Sequence, residues 1–237
     1  MKHLNVLITC EESQAECQAF RELGHNAYSC DVQMCRPGSN KAWHICGDCR
    51  PFLNGTTQFY TQDGKHHHIS RWHLIIAHPP CTYLCKVGSQ HLYKGKLKWV
   101  DSQIGRVLVN PERYGHLLQA REFFMECLNA NAPFVAVENP LPMRLANLPQ
   151  PSCFVQPFWF GDRWSKKTLY WLRNLPPIMP TIVNPDYKQL VRCSRGKYRS
   201  RTSLPLAKAI AQQWSDYVVK ELGINYKKLK NESKRIS

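Results

Sequence analysis

The sequence predicts an α/β domain built on a mostly parallel sheet with flanking helices. The expectation rests on short apolar runs that stop at chemistry-bearing side chains, on a strand–helix–strand opening, and on a length of 237 residues, enough for one such domain. Strands covered on both faces read as near-continuous apolar runs, and Leu4-Asn5-Val6-Leu7-Ile8, Leu74-Ile75-Ile76-Ala77 and Phe134-Val135-Ala136-Val137 have that form.

The first run leads through Thr9-Cys10-Glu11-Glu12-Ser13-Gln14 into a helix. Ala15, Cys17, Ala19, Phe20 and Leu23 supply its apolar face and Gly24 its stop. A second strand, Ala27-Tyr28-Ser29-Cys30, ends in Asp31. This is a Rossmann-like βαβ opening, with its acid about 20 residues past the first turn, where such folds hold ribose hydroxyls. Asp31 is either that contact or an ordinary turn residue.

Residues 32–73 are irregular. His44-Ile45-Cys46-Gly47-Asp48-Cys49 reads as a strand running into a loop, and His66-His67-His68 as an exposed polar loop. Cys46 and Cys49 form a C-x-x-C pair, and with Cys30 and Cys35 they make either a zinc set or reduced structural cysteines. We assign no metal.

The third run ends at His78-Pro79-Pro80-Cys81. Proline has no N–H for a sheet ladder and restricts its predecessor, so the strand must end there and Cys81 is held in a stiff position. That suits a nucleophile, while a buried thiol packed as a small hydrophobe is the plain alternative. Residues 86–113, with Lys94, Lys96, Lys98, Tyr93 and Trp99, read as a long mobile loop whose cations and rings suit a nucleic acid. A helix is expected over 115–131. The next strand ends in Glu138-Asn139-Pro140, again a reactive side chain at a proline-terminated edge. Ligands of open α/β sheets bind at that edge. A thiolate there can add to an electron-poor ring carbon while an acid meets the ring nitrogen.

Charge points the same way. With 32 Lys plus Arg against 17 Asp plus Glu, the formal charge is +15 and the pI about 9.4. Such a field attracts a polyanion, which a nucleic acid would be. Eleven cysteines and the lack of an apolar signal segment near Met1 suit a reducing, cytoplasmic setting. No run reaches the length of a membrane span, so a soluble protein without a membrane partner is expected, with a monomer favoured.

In its Pro79-Pro80-Cys81 and Glu138-Asn139 motifs and the order of its elements, the chain resembles the cytosine-5 DNA methyltransferases from about Asn5 to Val218. The Cys10-Glu11-Glu12-Ser13 opening and the region from Phe160-Gly161 to Pro176 look more closely like the short methyltransferase-like proteins often carried by bacteriophages. The resemblance implies an S-adenosylmethionine-dependent methyltransferase fold, with Cys81 attacking cytosine C6 and Glu138 holding N3 and the amino group. It also implies S-adenosylmethionine as cofactor, contacted by Cys10, Glu11, Glu12, Ser13, Asp31, Asp48 and Pro79. Lys166 and Thr168, after Gln156-Pro157-Phe158-Trp159-Phe160-Gly161, lie where the family has Gln-x-Arg-x-Arg and join the catalytic set by that correspondence. Arg201-Thr202-Ser203-Leu204-Pro205-Leu206 resembles the start of the family's closing helix.

The chain departs from the family at its first loop, which lacks Phe-x-Gly-x-Gly, and in having no room for a separate target-recognition domain. The expected organisation is one catalytic domain over 1–222 and a basic tail over 223–237. An enzyme acting on a free pyrimidine nucleotide and a non-catalytic nucleic-acid binder are the alternatives.

Overall fold

A computed structural model describes residues 3–182 and 201–223. The basic positions Arg192, Arg195, Lys197 and Arg199 and the tail from Lys227 lie outside the described residues. The chain opens with β1 (Asn5–Thr9), α1 (Ala15–Glu22) and β2 (Asn26–Asp31), followed by β3 (His44–Cys46) and the single turn α2 (Arg50–Leu53). A short hairpin, β4 (Gln58–Tyr60) and β5 (His66–His68), precedes β6 (Leu74–Ala77). A second hairpin, β7 (Lys98–Ser102) and β8 (Gly105–Val109), leads into α3 (Pro111–Leu128) and β9 (Phe134–Asn139). The described part closes with β10 (Cys153–Val155), β11 (Thr168–Arg173) and α4 (Leu204–Glu221).

Seven strands form the main sheet in the order β10-β11-β9-β6-β1-β2-β3. β9, β6, β1, β2 and β3 pair in parallel, while β11 runs antiparallel to both β9 and β10. Numbered within the sheet, the order is 3-2-1-4-5-7-6, the doubly wound order with one reversed strand inserted near its edge.

The apolar runs are explained by burial on both faces. Leu7, Ile75, Val135 and Val137 pack with Phe124 and Cys127 of α3 on one side. Val6, Ile8, Leu74, Ile76 and Ala136 pack on the other with Phe20 of α1 and Ile210 and Trp214 of α4. Among the described residues no helix is long and apolar enough to cross a membrane.

Several expectations need correction. Residues 86–113 are not a loop: a 3-10 segment, Lys86–Tyr93, is followed by the β7–β8 hairpin with Lys98 opposite Val109 and Val100 opposite Val107. Leu92 and Val109 are buried and anchor the hairpin's base in the core, leaving Lys94, Lys96, Lys98 and Trp99 exposed. Its surface charge masks the alternation that would have revealed it. His66-His67-His68 is strand β5, because His67 stacks on Phe59 at 5.3 Å and meets the Tyr28 hydroxyl at 3.2 Å. α3 begins at Pro111, four residues before the expected start. Asn110 Oδ1 accepts from Arg113 N at 3.0 Å, and proline at the first helical position costs no intrahelical bond.

Candidate active site at the carboxyl edge of the sheet

β1 and β6 are neighbours whose onward connections lead to opposite halves of the sheet, so the crevice beyond their carboxyl ends is the switch point. The segments after β6 and β9 are strapped together there. Asn139, 1% exposed, donates from Nδ2 to the Pro79 carbonyl at 3.0 Å. Lys86 N donates to Leu141 O and Met143 N to Leu84 O, each at 2.8 Å. Within the Cys81 turn, Leu84 N and Cys85 N both donate to Cys81 O, at 3.0 and 2.9 Å. The proline-terminated ends therefore share one frame, with Cys81 half-buried and Glu138 mostly buried.

His78, immediately before the prolines, links this frame to α1. Its Nε2 lies 3.2 Å from Glu16 Oε2 and its Nδ1 3.3 Å from Glu138 Oε2. Glu16 is wholly buried and its Oε1 accepts from the Thr202 hydroxyl at 2.9 Å. Burial opposes charge on His78, but Glu16 and Glu138 outweigh it and raise its pKa well above the ordinary histidine value. Burial likewise pushes Glu138 up, yet the His78 hydrogen bond and the Lys166 charge prevail and hold it below the usual carboxylate value. Cys81 is pushed up to about 11 by burial, by Cys85 and by Glu138, so it is held as a thiol.

Lys166 and Thr168 do join Glu138, lining a small polar cavity of about 20 Å³ with Tyr170, Thr202 and Ser203. That is room for about one water, so a larger ligand enters only with a shift of the wall. Lys166 is fixed through its main chain, whose N–H donates to Gln156 Oε1 at 3.0 Å, and the Thr168 hydroxyl donates to Lys166 O at 3.1 Å.

The edge over β1–β3 gathers the other expected residues. Cys10 adopts φ 59°, the left-handed conformation that glycine usually supplies in such turns, and its N–H donates to Cys30 O at 2.7 Å. Its thiol meets Cys49, which, with burial, raises its pKa. Glu11 turns inward: Oε1 accepts from Glu16 N at 2.7 Å and Oε2 from Cys17 N at 3.3 Å, so it caps α1. Glu12 forms an ion pair with Arg36, and Ser13 is half-buried. Asp31 Oδ1 accepts from Gln33 N at 2.9 Å, and burial raises its pKa. Asp48 is exposed, capping α2 through Arg50 N at 3.0 Å and pairing with the Arg50 guanidinium at 3.3 Å. Pro79 is buried under the Asn139 strap.

Sequence reasoning missed His78, Glu16 and Gln14 as site components. Gln14, 3% exposed and at φ 58°, binds Ser29 Oγ at 3.1 Å and Asn40 N at 2.8 Å, pinning the loop that glycine would otherwise shape. The available signal was polar residues on apolar faces, Glu16 amid Ala15, Cys17 and Ala19 above all. Among the described residues no group of three or more His, Cys, Asp or Glu could hold a metal ion. Cys30 instead donates to Gly47 O at 3.6 Å.

No protein-family model matches the chain, and no curated protein matches it. Among solved structures it is similar to an E. coli crystal structure described as a "putative DNA modification methyltransferase encoded within prophage". The identity is 12% and the TM-score 0.41, over 77% of this chain and 52% of that one. The chain thus spans about half the length of that protein, and a likeness of this size carries no functional weight.

Proposed function

We propose that the protein is a DNA methyltransferase that transfers a methyl group from S-adenosylmethionine to C5 of cytosine through a covalent adduct with Cys81. The observation that carries the reading is the strapping of two proline-terminated strand ends into one frame, which holds a thiol and a carboxylate beside the switch point. Fixing both partners of an addition in one geometry removes much of its entropic barrier. The target base must leave the stack, because a thiol at a strand end cannot reach C6 inside a duplex. Cys81 adds to C6, Glu138 holds N3 and the amino group, and Lys166 and Thr168 line the base's side of the cavity.

The cofactor edge fits a nucleoside. Asp31 is half-buried at the strand end, a carboxylate suited to ribose hydroxyls, while Asp48 and the 9–14 turn flank it. When bound, S-adenosylmethionine supplies an electrophilic methyl group. Glu12 and Asp48 are partly neutralised by Arg36 and Arg50, and Glu11 supports the loop from behind, so Asp31 carries most of the polar recognition. The exposed Lys94, Lys96, Lys98 and Trp99, with Arg106 5.7 Å over the Trp99 ring, form the DNA-facing surface.

Duplex carrying 5-fluorocytosine tests the chemistry. With S-adenosylmethionine the full chain should trap a covalent complex stable to denaturant, and Cys81→Ser should abolish it. Equal trapping by Cys81→Ser would remove the assignment. Bisulfite sequencing after expression in a methylation-free host should show modified cytosines in a fixed context.

A further inference from the structure

We propose, on the cytosine reading above, that His78 is the proton source behind Glu138: it supplies the proton that Glu138 passes to ring N3 as Cys81 adds, and recovers it as Cys81 leaves. The geometry begins with a ring bonded at both nitrogens. Nε2 faces Glu16 Oε2 at 3.2 Å and Nδ1 faces Glu138 Oε2 at 3.3 Å. An ionised carboxylate only accepts, so both ring nitrogens donate and the ring is an imidazolium. The side chains are 14% exposed for His78, 13% for Glu138 and 0% for Glu16, so bulk water is a poor competitor for that proton.

Glu138 alone cannot serve N3. An ionised carboxylate and the N3 of neutral cytosine are both acceptors, and only the amino group offers Glu138 a donor. As the Cys81 thiolate adds, its own proton already lost to water, a sulfur–C6 bond forms. The C5–C6 π pair moves to C4–C5 and the C4–N3 π pair settles on N3, which becomes strongly basic. One proton then passes from His78 Nδ1 to Glu138 Oε2, and the carboxyl so formed hands that proton on to N3. Glu138 ends ionised, His78 neutral and N3 protonated. After methyl transfer and loss of the C5 proton to water, the C5–C6 double bond re-forms as the sulfur–C6 bond breaks, and the N3 proton returns through Glu138 to recharge His78.

The surroundings favour this ring over other donors. Glu16, held by the Thr202 hydroxyl, fixes the ring's far side. Glu11 lies beside Glu16 at the start of α1. From β11, Tyr170 faces both Glu16 and Glu138, and burial with those charges raises its pKa well above the ordinary tyrosine value, making it a weak acid here. Lys166 and Arg201 complete the charged lining on the Glu138 side. Lys166 is the rival source.

The test is single-turnover methyl transfer by the full chain from pH 5.5 to 9, with His78→Gln, Glu16→Gln and Lys166→Met alongside and folding checked by thermal unfolding. Wild type should stay flat through neutrality and fall only on the alkaline side. His78→Gln should lose about 10²-fold at pH 8 and recover as the pH falls toward about 6, where Glu138 takes its own proton from solvent. Glu16→Gln should move the alkaline fall the same way by a smaller step, which keeps the proposal testable should His78→Gln not fold. An equal loss at every pH would mark His78 as merely structural. Movement of the profile by Lys166→Met and not by the His78 and Glu16 variants would assign the proton to Lys166; either result overturns the proposal. A wild type that neither traps 5-fluorocytosine nor transfers methyl fails earlier, at the cytosine reading itself.

Discussion

On the proposed chemistry Cys81 is the attacking group, yet the free protein holds it as a thiol. Burial, Cys85 and the Glu138 charge push its pKa to about 11, opposite to the lowering seen where a thiol neighbours a cation or a helix N-terminus. Activation therefore belongs to the bound state, where the base takes up the Glu138 charge in its own hydrogen bonds and relieves the thiol of it. The free protein should show Cys81 alkylation by iodoacetamide that climbs about tenfold per pH unit from pH 7 to 10, read by mass spectrometry with exposed Cys46 as an internal comparison. A rate that levels off near pH 8 would mean a preformed thiolate. At this scale the sequence was legible where proline punctuates a strand, as at Cys81 and Glu138. It was silent on His78 and Glu16, because their contact spans 62 residues of chain and needs the sheet order first.

Among the elements, α1 is the one on which the site most depends, since it carries Glu16 and its start shapes the Cys10 turn. No side chain at its N-cap, Gln14, satisfies the first amides; Glu11 does so from three residues earlier. Burial and the nearby Glu16 push Glu11 up to about 8 despite those bonds. The sign follows by linkage: a group whose folded pKa lies above its unfolded value gives stability that is complete at low pH and is lost as pH rises through the folded value. Glu11→Gln keeps an accepting oxygen and removes the titration. Urea unfolding at pH 5 and pH 9 should therefore show the variant gaining on wild type by roughly 1 kcal/mol or more between the two. A difference that does not change with pH would mean that Glu11 is ionised throughout. The helix itself was legible from its apolar spacing and Gly24. The β7–β8 hairpin was not, because exposed lysines on alternate positions look like a solvated loop until Leu92 and Val109 are seen holding its base.

Across the whole molecule, positive charge is in excess. Six acids of the described residues stand in ion pairs: Glu16 and Glu138 with His78, Glu12 with Arg36, Asp48 and Glu126 with Arg50, Glu22 with Lys208. The chain carries a +15 excess, and Lys94, Lys96 and Lys98 are exposed members of it on the segment that follows the Cys81 turn. On the proposed function a bound duplex meets these cations with its backbone, releasing counterions as it binds. Affinity for duplex should then fall linearly in log-log salt titrations, and changing Lys94, Lys96 and Lys98 together to Gln should flatten the slope by about 2 to 3, roughly 0.9 for each phosphate that no longer meets a lysine. Trapping of 5-fluorocytosine at low salt should survive the change, since none of the three touches the Cys81–Glu138 frame. Fluorescence anisotropy between about 50 and 200 mM salt reads the slope directly. An affinity that ignores salt would mean that the surface charge does not meet phosphates, and a free pyrimidine nucleotide would become the better substrate for the same thiol and carboxylate.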